Sequence, residues 1–407
     1  MQVNLAEFVK SRDGHDELEQ IIRSCVHCGF CNATCPTYQL TGNELDGPRG
    51  RIYLLKQMLE GEAVGSVTQQ HLDRCLSCRS CETTCPSGVE YGRLLDLGRV
   101  IVDEKVSRSL LDQTKRKLML FIFPNRQRFN WLIQLSRLCK PILPRILKQK
   151  IPARQKTEDW PLTNHSRKVL LLTGCVQPAL APSIDISAAR VLDKLGISLI
   201  KVKSTLCCGA LNYHLSEHDK ARALARQNID QCWPLIKQGV EAIIMTASGC
   251  GVTLKEYAKI LQYAPDYAQK AQLLSALVND ISEIILDQDL SAFSADNTRV
   301  VFQSPCTLQH GQQLAGVVES ILRKIGYDLT DSDNAHICCG SAGVYSILQP
   351  ELSEKLRDNK LQDLHLENAD CIATANIGCL THLQAGSSTK VIHWIDLLDE
   401  KSKHNIH

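Results

Sequence analysis

Several features that would place the chain in a common class are missing from its 407 residues. A membrane-spanning helix needs roughly eighteen consecutive apolar residues. LMLFIF (118–123) is among the longest apolar runs, and it is far shorter. The N-terminus, MQVNLAEFVKSRDGHDELEQ, is polar and lacks the apolar core of a signal peptide. We therefore expect neither a transmembrane helix nor a signal peptide.

Nucleotide-binding signatures are missing as well. Neither G-x-G-x-x-G nor G-x-x-x-x-G-K-[ST] occurs, so the sequence supports no flavin, nicotinamide or ATP site on this chain. The net charge is only +2, and no nucleic-acid partner is expected from it. With 44% hydrophobic and 22% charged residues the composition is that of a globular protein, long enough for two or three domains.

Cysteine, by contrast, is abundant, with 19 residues. In a cytosolic protein thiols stay reduced, so clustered cysteines indicate metal or redox sites rather than disulfides. The strings CVHCGFCNATCP (25–36) and CLSCRSCETTCP (75–86) both fit C-x2-C-x2-C-x3-C-P. This run is typical of proteins that bind cubane iron–sulfur clusters, and the following proline turns the chain away.

In two-cluster ferredoxins the fourth cysteine of each motif binds the cluster of the other motif. The spacing therefore predicts two [4Fe–4S] clusters with crossed ligands. The first would be held by Cys25, Cys28, Cys31 and Cys85, and the second by Cys75, Cys78, Cys81 and Cys35. Structural zinc is the alternative, because four cysteines also bind that ion. Gly29 is expected to supply a backbone conformation closed to other residues, and Arg49 and Arg51 either favour anionic clusters or are plain exposed charges.

The last 240 or so residues contain an internal repeat of a strand–helix–strand unit. RKVLLLTGC (167–175) matches TRVVFQSPC (298–306), LCCGA matches ICCGS, and EAIIMTASGC matches ADCIATANIGC. Each copy would bring four thiols together at strand ends, and Gly209 and Gly340 would allow adjacent cysteines to share one site. The first set is Cys175, Cys207, Cys208 and Cys250; the second is Cys306, Cys338, Cys339 and Cys379.

These segments resemble the cysteine-rich CCG domains of heterodisulfide reductase and related iron–sulfur subunits. The full family pattern closes with C-x-x-C, but Ala247 and Asn376 replace the first of those cysteines here. Three interpretations stay open for each set: a further cluster or zinc site, a thiol redox pair, or small buried residues of a core. His310 and His336 are weaker candidates for ligands or proton carriers. His214 and His218 are expected on one helix, and Cys139, Cys232 and Cys371 lack partners at motif spacing.

Between these regions lies a basic segment. Residues 105–156 contain fourteen lysines and arginines against Asp112 alone, interleaved with aromatics and leucines. Such a segment is typical of peripheral attachment to an anionic membrane surface, although an acidic partner subunit would fit it too.

Nearly the whole chain is similar to the iron–sulfur subunits of bacterial glycolate oxidases. The strings that carry this resemblance are CVHCGFCNATCPTYQLTGNELDGPRGRIYL, HLDRCLSCRSCETTCPSGVEY, TASGCG, PCTLQH, CCGSAGVY and TANIGC. The resemblance implies a complex with two flavoprotein-type subunits that carry FAD, oxidise glycolate to glyoxylate and pass electrons through this chain to a membrane quinone. It also implies a peripheral position on the cytoplasmic face of the inner membrane.

The predicted fold class is therefore α+β and multidomain. A mainly helical two-cluster ferredoxin domain (1–104) precedes a basic segment (105–164) and two α/β CCG repeats (165–290 and 291–400). Two other functions stay open: the equivalent subunit of a lactate or anaerobic glycerol-3-phosphate dehydrogenase, and a stand-alone disulfide reductase that works through the CCG site.

Overall fold

The computed structural model describes residues 1–140, 159–202, 206–295 and 297–402. The N-terminal part is helical. Its helices are α1 (Glu7–Lys10), α2 (His15–Ser24), α3 (Phe30–Ala33), α4 (Pro36–Thr41), α5 (Pro48–Leu59), α6 (Ser66–Asp73), α7 (Ser80–Thr83), α8 (Tyr91–Lys105), α9 (Leu110–Ile122) and α10 (Arg126–Cys139), with a 3-10 turn at Glu44–Asp46.

Apolar residues at helical spacing build the core of this part. In α2 the side chains of Leu18, Ile21 and Ile22 are buried, and they pack in one cluster with Leu94 and Leu95 of α8. The cluster also contains Cys25 and Cys81, so each motif has one cysteine in this core. The segments RGRIYLLKQMLEG and RLLDLGRVIVDEK, which lie between and after the two cysteine motifs, contribute to α5 and α8.

Each repeat forms a parallel four-stranded sheet. The strands of the first sheet are β1 (Arg167–Leu171), β2 (Ile197–Lys201), β3 (Ala242–Met245) and β4 (Val278–Asp280), in the order β2-β1-β3-β4. Those of the second are β5 (Arg299–Gln303), β6 (Asp328–Thr330), β7 (Cys371–Thr374) and β8 (Lys390–His393), in the order β6-β5-β7-β8. The identical orders confirm the duplication and the α/β class that the sequence predicts.

Helices cover these sheets. In the first repeat they are α11 (Gln177–Leu180), α12 (Ser183–Lys194), α13 (Ala210–His214), α14 (His218–Ile236), α15 (Ser248–Lys255), α16 (Tyr257–Ile260), α17 (Ala268–Leu277) and α18 (Ile281–Leu286). In the second they are α19 (Val317–Lys324), α20 (Tyr345–Leu348), α21 (Pro350–Asp363), α22 (Ile377–Gln384) and α23 (Trp394–Ser402), with a π-helical turn at Thr307–Gly311 and a 3-10 turn at Leu366–Asn368.

The order of the strands decides where the cysteines lie. From the central strand β1 the chain moves outward to β2 and then returns to β3 on the other side, so the switch point lies between β1 and β3. Cys175 follows β1, Cys207 and Cys208 follow β2, and Cys250 follows β3. All four therefore sit beyond the carboxyl edge of the sheet, where open α/β sheets bind ligands. The second repeat places its four cysteines in the same way.

The two repeats share one apolar core. Val169 and Ile184 of the first repeat lie in the same buried cluster as Val300, Ile321 and Trp394 of the second. Helix α12 packs against α23, and α18 packs against α19, so the last helix of each repeat packs against the first long helix of the other.

In the part of the chain that the structure describes, no helix combines the length and the apolarity that crossing a membrane requires. Helices α9 and α10 fall in the predicted basic segment. Residues 141–158 of that segment lie outside the described residues.

Candidate metal and thiol sites

Two adjacent cavities lie within the cysteine motifs. The first cavity is lined by Cys25, Cys28, Cys31, Cys81 and Cys85, and the second by Cys35, Cys75, Cys78 and Cys81. Cys81, Pro48 and Tyr91 line both cavities, which are therefore direct neighbours. Each cavity thus contains cysteines of both motifs, and the assignment of each thiol to one cluster stays a prediction.

The two motif loops follow the same backbone path. Gly29 has a φ of +87°, a conformation that favours glycine, and a Cβ at this position would lie 2.7 Å from Nη1 of Arg49 and displace that side chain. The equivalent residue of the second motif is Arg79, which adopts a φ of 62°. His27 and Ser77, each one residue before the second cysteine of its motif, also have positive φ.

The second cavity has unpaired guanidinium donors beside its thiols. Arg51 is fully buried; its Nε donates to the carbonyl of His71 at 2.7 Å, and its Nη2 donates to Oγ1 of Thr37 at 3.2 Å. Its Nη1 has no hydrogen-bond partner, whereas the buried hydroxyl of Tyr91 is hydrogen-bonded to Cys75. A buried donor without a partner is costly. Both side chains line this cavity, so a sulfur-rich anionic group bound there fits the unused donors of Arg51.

Three of the thiols that line the cavities have raised pKa values. Burial raises the pKa of Cys31 to about 11, and burial also holds the pKa values of Cys78 and Cys81 well above the usual range of a thiol. Thiolates are the metal-binding form, so a cationic centre has to displace these protons. The donor set, the neighbouring cavities and the unpaired donors therefore fit a pair of iron–sulfur clusters.

The second cavity is covered by the second repeat. Leu76 packs in one buried cluster with Cys338, Tyr345 and Leu356, and Cys78 and Cys306 pack against that cluster. The hydroxyl of Tyr345 donates to the carbonyl of Arg74 at 3.1 Å. Cys78 therefore lies beside Cys306 and Cys338 of the second repeat.

The cysteine set of the second repeat is compact and buried. Sγ of Cys306 lies 3.7 Å from Sγ of Cys338, and Sγ of Cys339 lies 3.4 Å from Sγ of Cys379. Gly340 has a φ of +88°, and a Cβ there would lie 2.7 Å from the carbonyl oxygen of Ser353. The bent backbone expected after the adjacent cysteines is therefore present.

The thiols of the first repeat are arranged in the same way. Sγ of Cys175 lies 3.5 Å from Sγ of Cys207, and Cys208 is hydrogen-bonded to both Cys207 and Cys250. These two hydrogen bonds lower the pKa of Cys208, so of the four thiols it is the one best able to ionise.

Ala247 and Asn376 occupy equivalent positions but offer different chemistry. Nδ2 of Asn376 lies 3.7 Å from Sγ of Cys379, whereas Ala247 is buried in the shared core and provides no polar atom. The two loops meet where the backbone N–H of Ser248 donates to the carbonyl of Ala375 at 3.2 Å. The position where the family has the first cysteine of C-x-x-C is thus polar in the second repeat and apolar in the first.

The histidine expectations need correction. His214 ends α13 and His218 begins α14, so they do not share one helix, because the chain turns at Ser216 with a φ of 66°. Nδ1 of His214 lies 2.9 Å from Oδ1 of Asp96 on α8, whereas His218 stacks on Tyr213 with ring centroids 4.0 Å apart. His214 therefore ties the helical part to the first repeat, a role that spacing alone does not reveal.

The other candidates are placed as follows. His310 bridges two regions, with Nδ1 2.9 Å from Oγ1 of Thr83 and Nε2 2.9 Å from the carbonyl of His336. Cys232 and Cys371 are buried free thiols, and Cys139 is a half-buried one. Over the described residues, no three or more His, Cys, Asp or Glu side chains are arranged to hold a single metal ion.

Family models match most of these regions. A 4Fe-4S dicluster domain matches residues 21–89, and a cysteine-rich domain matches residues 169–255 and again 300–384. A crystal structure of a hypothetical protein from Helicobacter pylori has a similar fold, with a TM-score of 0.56 and 12% identity over 96% of this chain and 73% of that one.

Curated relatives extend the similarity to the whole chain. The glycolate oxidase iron-sulfur subunit of Escherichia coli is 48% identical over 98% of this chain and 99% of its own length. A probable glycolate oxidase iron-sulfur subunit of Bacillus subtilis is 29% identical over 94% of each. Lactate utilization protein A of Geobacillus kaustophilus is 25% identical over 58% of this chain and all of its own. The chain belongs to the family of glycolate oxidase iron–sulfur subunits.

Proposed function

We propose that the chain is the iron–sulfur electron-transfer subunit of a membrane-associated complex that oxidises glycolate to glyoxylate. The observation that carries the proposal is the pair of neighbouring cavities, each lined by at least four cysteines drawn from both motifs. Their shared lining would keep two redox centres close enough for electrons to pass between them.

In this proposal the two cysteine quartets that line the cavities each bind one [4Fe–4S] cluster. When bound, such clusters supply one-electron transfer. The polypeptide contributes the rest. Cys25 and Cys81 are anchored in the apolar core, and Arg51 and Tyr91 place polar hydrogens beside the thiols of the second cavity.

The two-electron oxidation of the substrate is assigned to partner subunits. Because the sequence offers no dinucleotide signature, we place the FAD on two flavoprotein-type subunits and the final electrons on a membrane quinone. The second repeat is the natural continuation of the path, since Cys306 and Cys338 pack beside Cys78. Its thiols would then act as a further redox or metal site.

The basic segment is proposed to attach the complex to the membrane surface. Helix α9 exposes Leu111, Leu118 and Phe121, and α10 exposes Trp131 and Leu138. These positions recur at helical spacing and lie among Lys115, Lys117, Arg126 and Arg128, a combination that fits an anionic lipid surface. Co-sedimentation with anionic vesicles, but not with neutral ones, is the expected result.

Anaerobic purification tests the central claim. We expect iron, acid-labile sulfide and, after reduction with dithionite, an EPR signal of two interacting clusters. Co-purification with the flavoprotein subunits from the native host, followed by reduction of the clusters with glycolate, tests the reaction. A correctly folded preparation without iron and sulfide contradicts the proposal.

Lactate is the second candidate substrate. The similarity to a lactate utilization protein over 58% of the chain is the observation that favours it. A screen of glycolate, lactate and glycerol 3-phosphate against the intact complex separates these alternatives. A disulfide reductase that needs no partner would instead reduce a disulfide with the purified chain alone.

A further inference from the structure

A small apolar surface surrounds the second cysteine of the first motif. Val26 and Phe30 are 67% and 61% exposed, they flank the exposed Cys28, and all three line the first cavity. The ring of His27 meets the exposed ring of Tyr53 edge-on, with centroids 6.3 Å apart. We call the surface formed by these five residues the Cys28 patch.

The second motif shows what such a surface does when it is covered. Leu76, the counterpart of Val26, is only 6% exposed, and Ser80, the counterpart of Phe30, is 1% exposed. Leu76 is covered by Tyr345 and Leu356 of the second repeat, which brings Cys338 up to Cys78. One copy of the duplicated surface therefore docks a thiol-bearing domain of this chain, and the other copy is left open.

The charges around the patch favour a protein partner over a lipid surface. Arg49 is paired with Glu44 at 2.5 Å, and Arg23 is paired with Glu19 at 2.6 Å. The charges of these two arginines are thus neutralised within the chain. An apolar surface with exposed aromatic rings is typical of the centre of a protein–protein interface.

We propose that the Cys28 patch is the docking site of the flavin-bearing partner subunit, and that electrons enter the chain at the first cavity. The proposal rests on the proposed function. Electrons would leave a reduced flavin one at a time, enter the cluster beside Cys28 and move on to the cluster beside Cys78. The second repeat already occupies the surface of the second motif, so the first motif is the one that is open to a donor.

The test uses the complex purified from its host or assembled by coexpression. Phe30→Asp places a charge in the patch, and Tyr53→Asp does so from α5, outside the cysteine loop. Val67→Asp is the matched control, because Val67 is 60% exposed on α6 of the same region. The readouts are flavin bound per iron–sulfur chain, iron and sulfide content, and the EPR signals produced by dithionite and by glycolate.

We expect both patch variants to lower the affinity for the flavin subunit at least roughly tenfold, as the loss of a central apolar contact does. Dithionite should still produce both cluster signals, glycolate should not, and Val67→Asp should behave like the wild type. If Phe30→Asp itself loses the cluster signals, Tyr53→Asp alone decides.

Three results overturn the proposal while the proposed function stands. In the first, the deciding variant keeps its flavin and its reduction by glycolate. In the second, it keeps its flavin but loses vesicle binding, which would assign the patch to the membrane. In the third, it keeps its flavin but loses self-association, which would assign the patch to a second copy of the chain. A wild-type chain that lacks iron and sulfide would instead contradict the proposed function.

Discussion

Arg51 is the residue whose environment says most about the second cavity. Its charge is buried beside Cys35 and Cys75, and these thiols, once ionised, together with Asp46, favour its protonated form. The sequence leaves open whether Arg49 and Arg51 are exposed helix charges. In the structure Arg51 is buried, whereas Arg49 is half-buried and paired with Glu44.

Removing the charge of Arg51 should make the second cluster harder to reduce. A buried positive charge stabilises the reduced form, which carries one more negative charge. Arg51→Gln is therefore expected to lower the midpoint potential by about 60 mV, the equivalent of tenfold in a one-electron equilibrium. EPR redox titration measures it, with Arg49→Gln as the control. An unchanged potential in Arg51→Gln would contradict this role.

Cys35 tests the crossed ligation. It lines the second cavity with Cys75 and Cys78, although its own motif lines the first. Cys35→Ser should weaken or convert the second cluster and largely spare the first, and Cys85→Ser should do the reverse. EPR of the reduced variants separates the two signals. Loss of the first cluster alone in Cys35→Ser would show that each motif serves itself.

At the scale of elements, sequence reasoning succeeds where the signal is local. The two cysteine motifs predict that thiols of both copies lie close together, and the strand-then-cysteine repeats predict β1, β3, β5 and β7. What the sequence does not reveal are contacts between distant elements. That Leu76 lies against Tyr345, or His214 beside Asp96, depends on how α8, α13 and α20 pack, and no periodicity encodes it.

The contact of α8 with α13 should depend on pH. Burial alone would lower the pKa of His214, but the carboxylate of Asp96 outweighs it and raises that pKa; the pKa of Asp96 falls to about 2. The ion pair therefore adds stability while His214 is protonated, and this contribution is lost as the pH rises through its folded-state pKa. It is also lost as the pH falls toward 2.

His214→Gln checks this dependence. Wild-type protein should lose stability between about pH 6 and pH 8, since the pKa of an unperturbed histidine is near 6.5. The variant should lose less over the same interval, as followed by thermal unfolding under anaerobic conditions. His165→Gln, which removes a histidine paired with Asp193 far from α8, serves as the comparison. Equal pH slopes in wild type and His214→Gln would refute the assignment.

The duplication provides a matched pair of cysteine variants that tests the contact between Cys78 and the second repeat. Cys306→Ser should alter the EPR line shape or the potential of the iron–sulfur cluster beside Cys78. The reason is that Cys306 and Cys78 pack against the same group of buried side chains around Leu76. Cys175→Ser, its counterpart 131 residues earlier, should leave that signal unchanged. Equal effects from both variants would mean that the two repeats do not differ in their link to the second cluster.

At the scale of the molecule, the two repeats form one structural unit rather than two domains in a row. The last helix of each packs against the first long helix of the other, and Ser187 and Arg190 on α12 both donate to Oδ2 of Asp399 on α23, at 3.2 and 3.3 Å. Duplication alone predicts two similar sheets. The shared core is a property of the assembled chain, because each repeat leaves an apolar helix face that only the other covers.

Trp394 tests this coupling. It is fully buried in the shared core at the start of α23, so Trp394→Ala should cost about 3–5 kcal/mol of unfolding free energy through the cavity it leaves. The loss should appear in both repeats. Hydrogen exchange should accelerate in α12 as well as in α23, and denaturant unfolding of the repeats should remain a single transition. Trp131→Ala, at an exposed tryptophan, should cost no more than about 0.5 kcal/mol. Faster hydrogen exchange confined to the second repeat would mean that the repeats unfold independently and do not share one cooperative core.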